Sequence, residues 1–129
     1  MKNSIKTKIL FVLALLFGLM FINAGLNKFL NYMPMPENLP EKMLNAMKAF
    51  IEIGWLLPLV GIAEIVGGFF IIIPKTRALG ALIILPIMVG ITLTNIFQDS
   101  SGLPIVFILW AILIWIMVEN KKRYLPLIS

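Results

Sequence analysis

The chain contains neither cysteine nor histidine, and only 13% of its 129 residues are charged. Without cysteine it forms no disulfide and runs no CxxC-type dithiol chemistry. Without either residue it cannot by itself hold a zinc–thiolate site, an iron–sulfur cluster or a His-ligated haem. The missing cysteines do not fix the redox compartment, because helices in lipid need no disulfide staples. The scarcity of charge excludes an ordinary soluble domain, which is about a quarter charged and about half apolar. Here 60% of the residues are hydrophobic and the mean hydropathy is +1.01. So short a chain could not bury that excess in a core. Lipid is therefore the solvent for most of it, and the whole chain reads as one all-α transmembrane domain. The net charge of +5 is spread along the sequence with no basic helix, so nucleic acid is not an expected partner.

What is present is a series of four long apolar runs. The first covers about 9–30, behind Lys2, Lys6 and Lys8. A run near 20 residues matches the roughly 30 Å hydrocarbon core. It also resembles a signal peptide with a small-residue cleavage point near Ala24–Gly25. Apolar sequence continues through Leu26, Phe29 and Leu30, however, which predicts an uncleaved span. Pro34, Pro36 and Pro40 then rule out helix. From about 41 to 50, Met43, Leu44, Met47 and Phe50 recur at helical spacing, predicting a short interfacial amphipathic helix. Further spans follow at about 53–73, 78–97 and 103–118, giving an expected four-helix bundle. Prolines 58 and 86 inside spans are tolerable where neighbouring helices re-satisfy the freed backbone.

Basic residues set the expected orientation. Lys2, Lys6, Lys8, Lys75, Arg77, Lys121, Lys122 and Arg123 fall on one side, and Lys28, Lys42 and Lys48 on the other. Eight against three puts both termini in the cytoplasm.

Glu64 stands alone in the second run, about 13 Å from its cytoplasmic end at about 1.5 Å per residue. An ionisable residue at that depth is costly and reads as a functional site. Gly54, Gly61 and Gly68, spaced by seven, share its helix face and suit close helix packing. That arrangement turns Glu64 into the protein, as a site residue or as interhelical glue. Asn23 and Asn27 share a face of the first span, with Lys28 beside them. Lys28 either snorkels to the outer headgroups or turns inward to join the asparagines, Glu64 and Asn95 in a polar cavity. Thr92 and Thr94 read as helix glue, while the Asn95 amide has donors and acceptors to place. Met33, Met35, Met43 and Met47 cluster in the outer connection. Thioethers suit Cu(I), but no histidine or cysteine supports a metal, and soft packing is the better reading.

These residues, in order, resemble the DoxX family of small four-span membrane proteins. The resemblance runs from about residue 17 to 102. It rests on Gly25-Leu26-Asn27-Lys28-Phe29, Met33-Pro34-Met35-Pro36, Ala63-Glu64-Ile65-Val66-Gly67-Gly68, Thr76-Arg77-Ala78 and Phe97-Gln98-Asp99-Ser100-Ser101-Gly102. It implies a place in the bacterial cytoplasmic membrane. Some relatives are membrane subunits of thiosulfate:quinone oxidoreductases or associate with redox enzymes. Family members often carry a histidine near the end of the third span, where this chain reads Thr92-Leu93-Thr94-Asn95.

Three functions compete. A quinone-facing or redox-associated subunit would use Glu64, Asn23, Asn27 and Asn95 around a quinone headgroup and draw electrons from a partner enzyme. A small proton-coupled carrier would titrate Glu64 and would need a homo-oligomer to build a path. A non-catalytic membrane anchor would use Glu64 as glue. If there is a ligand, the depth of the polar side chains predicts an outward-opening pocket. It would be lined by the first three spans, floored by Glu64 and covered by the 33–50 connection.

Overall fold

A computed structural model of the chain describes residues 4–35 and 37–128. Lys2 of the N-terminal basic flank and Pro36 of the first connection lie outside the described residues. Among the described residues every regular element is helical: α1 (Ser4–Leu30), α2 (Glu41–Ile53), α3 (Leu56–Ile72), α4 (Arg77–Phe97), α5 (Leu103–Glu119) and the single turn α6 (Lys121–Tyr124). Short 3-10 turns occupy Ser100–Gly102 and Leu125–Leu127. Three helical stretches are long and apolar enough to cross a membrane, and a fourth is added if α2 and α3 count as one span bent by 92°.

Each boundary has a local cause. Asn31, with φ 51°, ends α1 by adopting the left-handed conformation, and its N–H donates to the Asn27 carbonyl at 2.8 Å. Pro40 opens α2, its carbonyl accepting from Met43 and Leu44. The expected second span, 53–73, is shortened at its start, because Ile53 belongs to α2 and the chain turns at Gly54-Trp55. Gly54 has φ 81°, a conformation that a side chain would strain. A Cβ there would meet nothing within 4 Å. The expectation that Gly54 packs helices is thus corrected: it makes the corner between α2 and α3. Gly102 and Pro104 lead into α5, where proline in the first turn loses no helical hydrogen bond.

Helix α1 packs along α3, α3 along α4, α4 along α5, and α5 touches α1. The α1–α3 contact is set by two glycine pairs. A Cβ on Gly18 would lie 2.5 Å from the Gly68 carbonyl oxygen, and one on Gly25 would lie 2.5 Å from that of Gly61. Both pairs are seven residues apart on both helices, so the antiparallel backbones touch twice. On its other side α3 presents Gly67 to α4, where Gly80 approaches the Gly67 carbonyl. The core nearer the N-terminal end of α1 is closed by Leu10, Ala14, Phe17 and Phe21, packed with Ile71, Ala81, Ile84, Met88, Leu113 and Ile116. The outward faces carry large apolar side chains in the open, such as Ile105, Phe107 and Ile108 on α5. That is the surface a lipid solvent calls for.

The turn joining α3 to α4 is fastened by side chains. Arg77, only 7% exposed, donates from Nε to the Ile71 carbonyl at 2.7 Å and from a terminal nitrogen to Ile72 at 3.2 Å. It thereby satisfies carbonyls that the end of α3 leaves open. Its guanidinium also lies 6.0 Å from the centroid of the Phe11 ring. The C-terminal tail folds over the same end: Tyr124 donates to the Ala78 carbonyl and Arg123 to the Lys75 carbonyl, each at 2.9 Å. Burial pushes the Tyr124 phenol up from its ordinary range.

Candidate functional site

Lys28 and Glu64 meet. The Lys28 ammonium donates to Glu64 Oε1 at 2.6 Å, with the carboxylate side chain 4% exposed and the lysine 23%. The glycine pairs explain how. With Gly25 opposite Gly61, Lys28 lies opposite Pro58 and Glu64 lies six residues deeper, roughly 9 Å at about 1.5 Å per residue. Side chains on a helix lean toward its N-terminus. On α1 that direction is inward, and on the antiparallel α3 it is outward. The two side chains therefore lean toward each other and close the gap. Gly25 leaves the room: a Cβ on it would sit 3.2 Å from Cβ of Glu64.

Above the pair lies an open cleft of about 800 Å³. The end of α1 contributes Asn27 and Lys28, and the connection contributes Asn31, Met33, Pro34 and Met35. Met47, Phe50 and Ile51 of α2 and Leu57 and Pro58 of α3 complete the walls around the Gly54 corner. Such a volume, mostly apolar with a few polar groups, is within the range that holds small-molecule ligands. Glu64 does not line the cleft and is reached through Lys28.

The two asparagines of α1 hold the connection in place. Asn27 Oδ1 accepts from the Met33 N–H at 2.8 Å. The Asn23 carbonyl accepts from the Tyr32 hydroxyl at 2.9 Å, its side-chain oxygen accepts from the same hydroxyl, and its Nδ2 donates to Met33 Sδ at 3.4 Å. Asn27 thus borders the cleft, whereas Asn23 braces its rim from the side. Asn95 is not brought to this place. Its Nδ2 bonds back to the Ile91 carbonyl at 2.8 Å, and its Oδ1 abuts Gly102 at the far connection. The expected lining by the first three spans is therefore corrected: no residue of α4 lines the cleft, and α2 supplies that wall instead. The mismatch has a simple origin, since an amide near a helix end finds the carbonyl four residues back before any distant partner. Gly61 lies against Gly25, and Gly68 against Gly18.

Several residues with structural work went unnoticed in the sequence. Gly18 and Gly25 repeat the spacing of Gly61 and Gly68, a signal that comparing the two runs would have exposed. Tyr32 clips the connection to α1 through its hydroxyl. Trp110 is a further one: its Nε1 donates at 2.7 Å to the hydroxyl of Thr92, which itself donates to the Met88 carbonyl at 2.7 Å, so α4 is tied to α5. Among the described residues there is no group of three or more carboxylates able to hold a metal ion.

No curated protein and no solved structure gives a significant match to this chain. A family model does: that of DoxX, over residues 9–96, a stretch that includes the glycine pairs, Lys28, Glu64 and the cleft and leaves α5 outside. The chain is a multi-pass membrane protein and belongs to the DoxX family.

Proposed function

We propose that the protein crosses the bacterial cytoplasmic membrane four times, through α1, α3, α4 and α5, with both termini in the cytoplasm. In this reading α2 lies along the outer interface. At 17 residues α3 is about 26 Å long, which is at the short end for a span. Helix α2 leaves it at 92° and has no buried residue, as a helix lying in the headgroup plane would.

The cleft then opens outward at headgroup depth, and we assign to it the headgroup of a lipid-soluble quinone. One observation carries the assignment: Lys28 uses one of its three ammonium donors on Glu64 and borders the cleft. The remaining donors suit a carbonyl oxygen, and Phe50, Ile51 and Leu57 suit an apolar ring and tail. The chain has no residue set for a haem or cluster, so electrons would come from a partner enzyme. This is a quinone-facing subunit and not a complete enzyme. A proton-coupled carrier fits less well, because the core beyond Glu64, from Phe21 to Leu10 on α1, is packed and apolar.

The test is quinone content after purification from the native membrane in mild detergent. Bound quinone in the native protein and its loss in Lys28→Met support the assignment. No quinone in the native protein, or equal amounts in both, rejects it.

A further inference from the structure

The opposite end of the molecule carries a second cavity, of about 690 Å³, between the start of α1 and the junction of α5 with α6. Lys6 lines it from α1, and Val118 to Arg123 line it from the junction. Four of these side chains are cations and one, Glu119, is a carboxylate. Glu119 is already engaged: Lys6 Nζ lies 2.7 Å from its Oε1, and Trp115 Nε1 donates to the same oxygen at 3.3 Å. Arg123 is held by the Lys75 carbonyl. Lys121 and Lys122 take part in neither of the two salt bridges among the described residues. They leave two exposed positive charges facing a cavity in which Glu119, the only anion among the described residues that line it, is matched by another lysine.

Exposed apolar residues flank these charges along the chain. Val118 is exposed on α5 just before them, and Leu125, Leu127 and Ile128 are exposed just after. A cationic pocket lined by Val118, with further exposed aliphatic side chains following it in the chain, at the ends of membrane-crossing helices, matches the boundary between a lipid's phosphate and its acyl chains. Basic clusters next to spans attract anionic lipids, and basic pockets between helix ends bind their headgroups.

We propose that this cavity binds the phosphate of an anionic phospholipid. Lys121 and Lys122 supply the charge, Arg123 supplies donors from its fixed guanidinium, and the acyl chains lie along Val118 and the apolar tail. Glu119 limits the affinity by neutralising Lys6. The site shares no residue with the outer cleft, so it stands or falls independently of the quinone assignment.

Native mass spectrometry of the full chain tests it, after release from vesicles of phosphatidylglycerol and phosphatidylethanolamine. The native protein should retain phosphatidylglycerol above its bulk proportion. Lys121→Gln with Lys122→Gln should lower that preference by roughly fivefold per charge, about 25-fold for both. Neither lysine makes a salt bridge here, so the fold should be kept, and an unchanged melting temperature would verify it. Glu119→Gln should act in the opposite direction, because it frees Lys6 and raises retention several-fold. Retention that follows the bulk proportion, or is indifferent to the double substitution, overturns the proposal. Displacement of the lipid by inorganic phosphate at matched ionic strength would also overturn it, by making the cavity a site for soluble anions.

Discussion

Replacing Lys28 with methionine keeps most of the side chain's length and apolar stem but removes the ammonium that faces Glu64. The carboxylate, 4% exposed, would be left without its partner. Removing one member of a buried ion pair typically costs about 3–5 kcal/mol, because the other charge stays desolvated and uncompensated. Lys28 borders the cleft and is 23% exposed, so water can enter behind the substitution. The expected loss is accordingly at the lower end, about 3 kcal/mol. Removing both charges, as in Lys28→Met with Glu64→Leu, should cost within about 1 kcal/mol of nothing, since apolar replacements of buried pairs are often neutral. The single Glu64→Leu substitution completes a double-mutant cycle, and the coupling should be at least about 2 kcal/mol. Tryptophan fluorescence can follow reversible unfolding in detergent, since Trp55 lies at the corner between α2 and α3 and Trp110 and Trp115 lie on α5. Additive single effects, with the double variant as unstable as their sum, would refute the buried pair.

Other consequences follow from the same geometry. Gly25→Ala and Gly68→Ala should each destabilise by about 1–3 kcal/mol, because the added methyl meets backbone that cannot step aside. Gly90→Ala, where a Cβ meets nothing within 4 Å, should be neutral or slightly stabilising in the same melting assay. Arg77→Leu should cost about 2–3 kcal/mol, since it strands the Ile71 and Ile72 carbonyls, whereas Lys75→Leu at an exposed position should not. A single cysteine at Asn38, in a chain without any other, should label from outside intact cells, while reporters fused to either end should respond as cytoplasmic. Labelling of that cysteine only after the cells are broken would invert the orientation.

Class, solvent and family were legible in the residues, because long apolar runs broken by proline, glycine and charge leave little choice once lipid is the solvent. The site was legible in its parts and not in its assembly. Glu64 drew attention as an isolated carboxyl, and Lys28 as a lysine at the end of a span. Their meeting depends on the axial register of α1 against α3, which the Gly18–Gly68 and Gly25–Gly61 contacts determine. Spacing within one run shows which residues share a face but not what lies opposite. Gly54 misled for a related reason: it continues the sevenfold spacing of Gly61 and Gly68, yet its backbone turns left-handed and ends α2. In the sequence Arg77 is one more basic residue flanking a span, and nothing in its neighbourhood distinguishes that role from a guanidinium folded over the end of α3. Asn95 shares its depth with the other polar residues, but its acceptor is the carbonyl four residues back on its own helix.

The assignment of the cleft is tested most directly by photo-crosslinking in native membranes. An azido-quinone would be activated by light, and the adducts mapped by mass spectrometry. Adducts should concentrate on the connection at Met33–Met35, on α2 near Met47 and Phe50, and on α3 at Leu57, and fall away in Lys28→Met. Adducts spread over the lipid-facing side chains of α5, such as Ile105 and Phe107, and indifferent to Lys28 would contradict it.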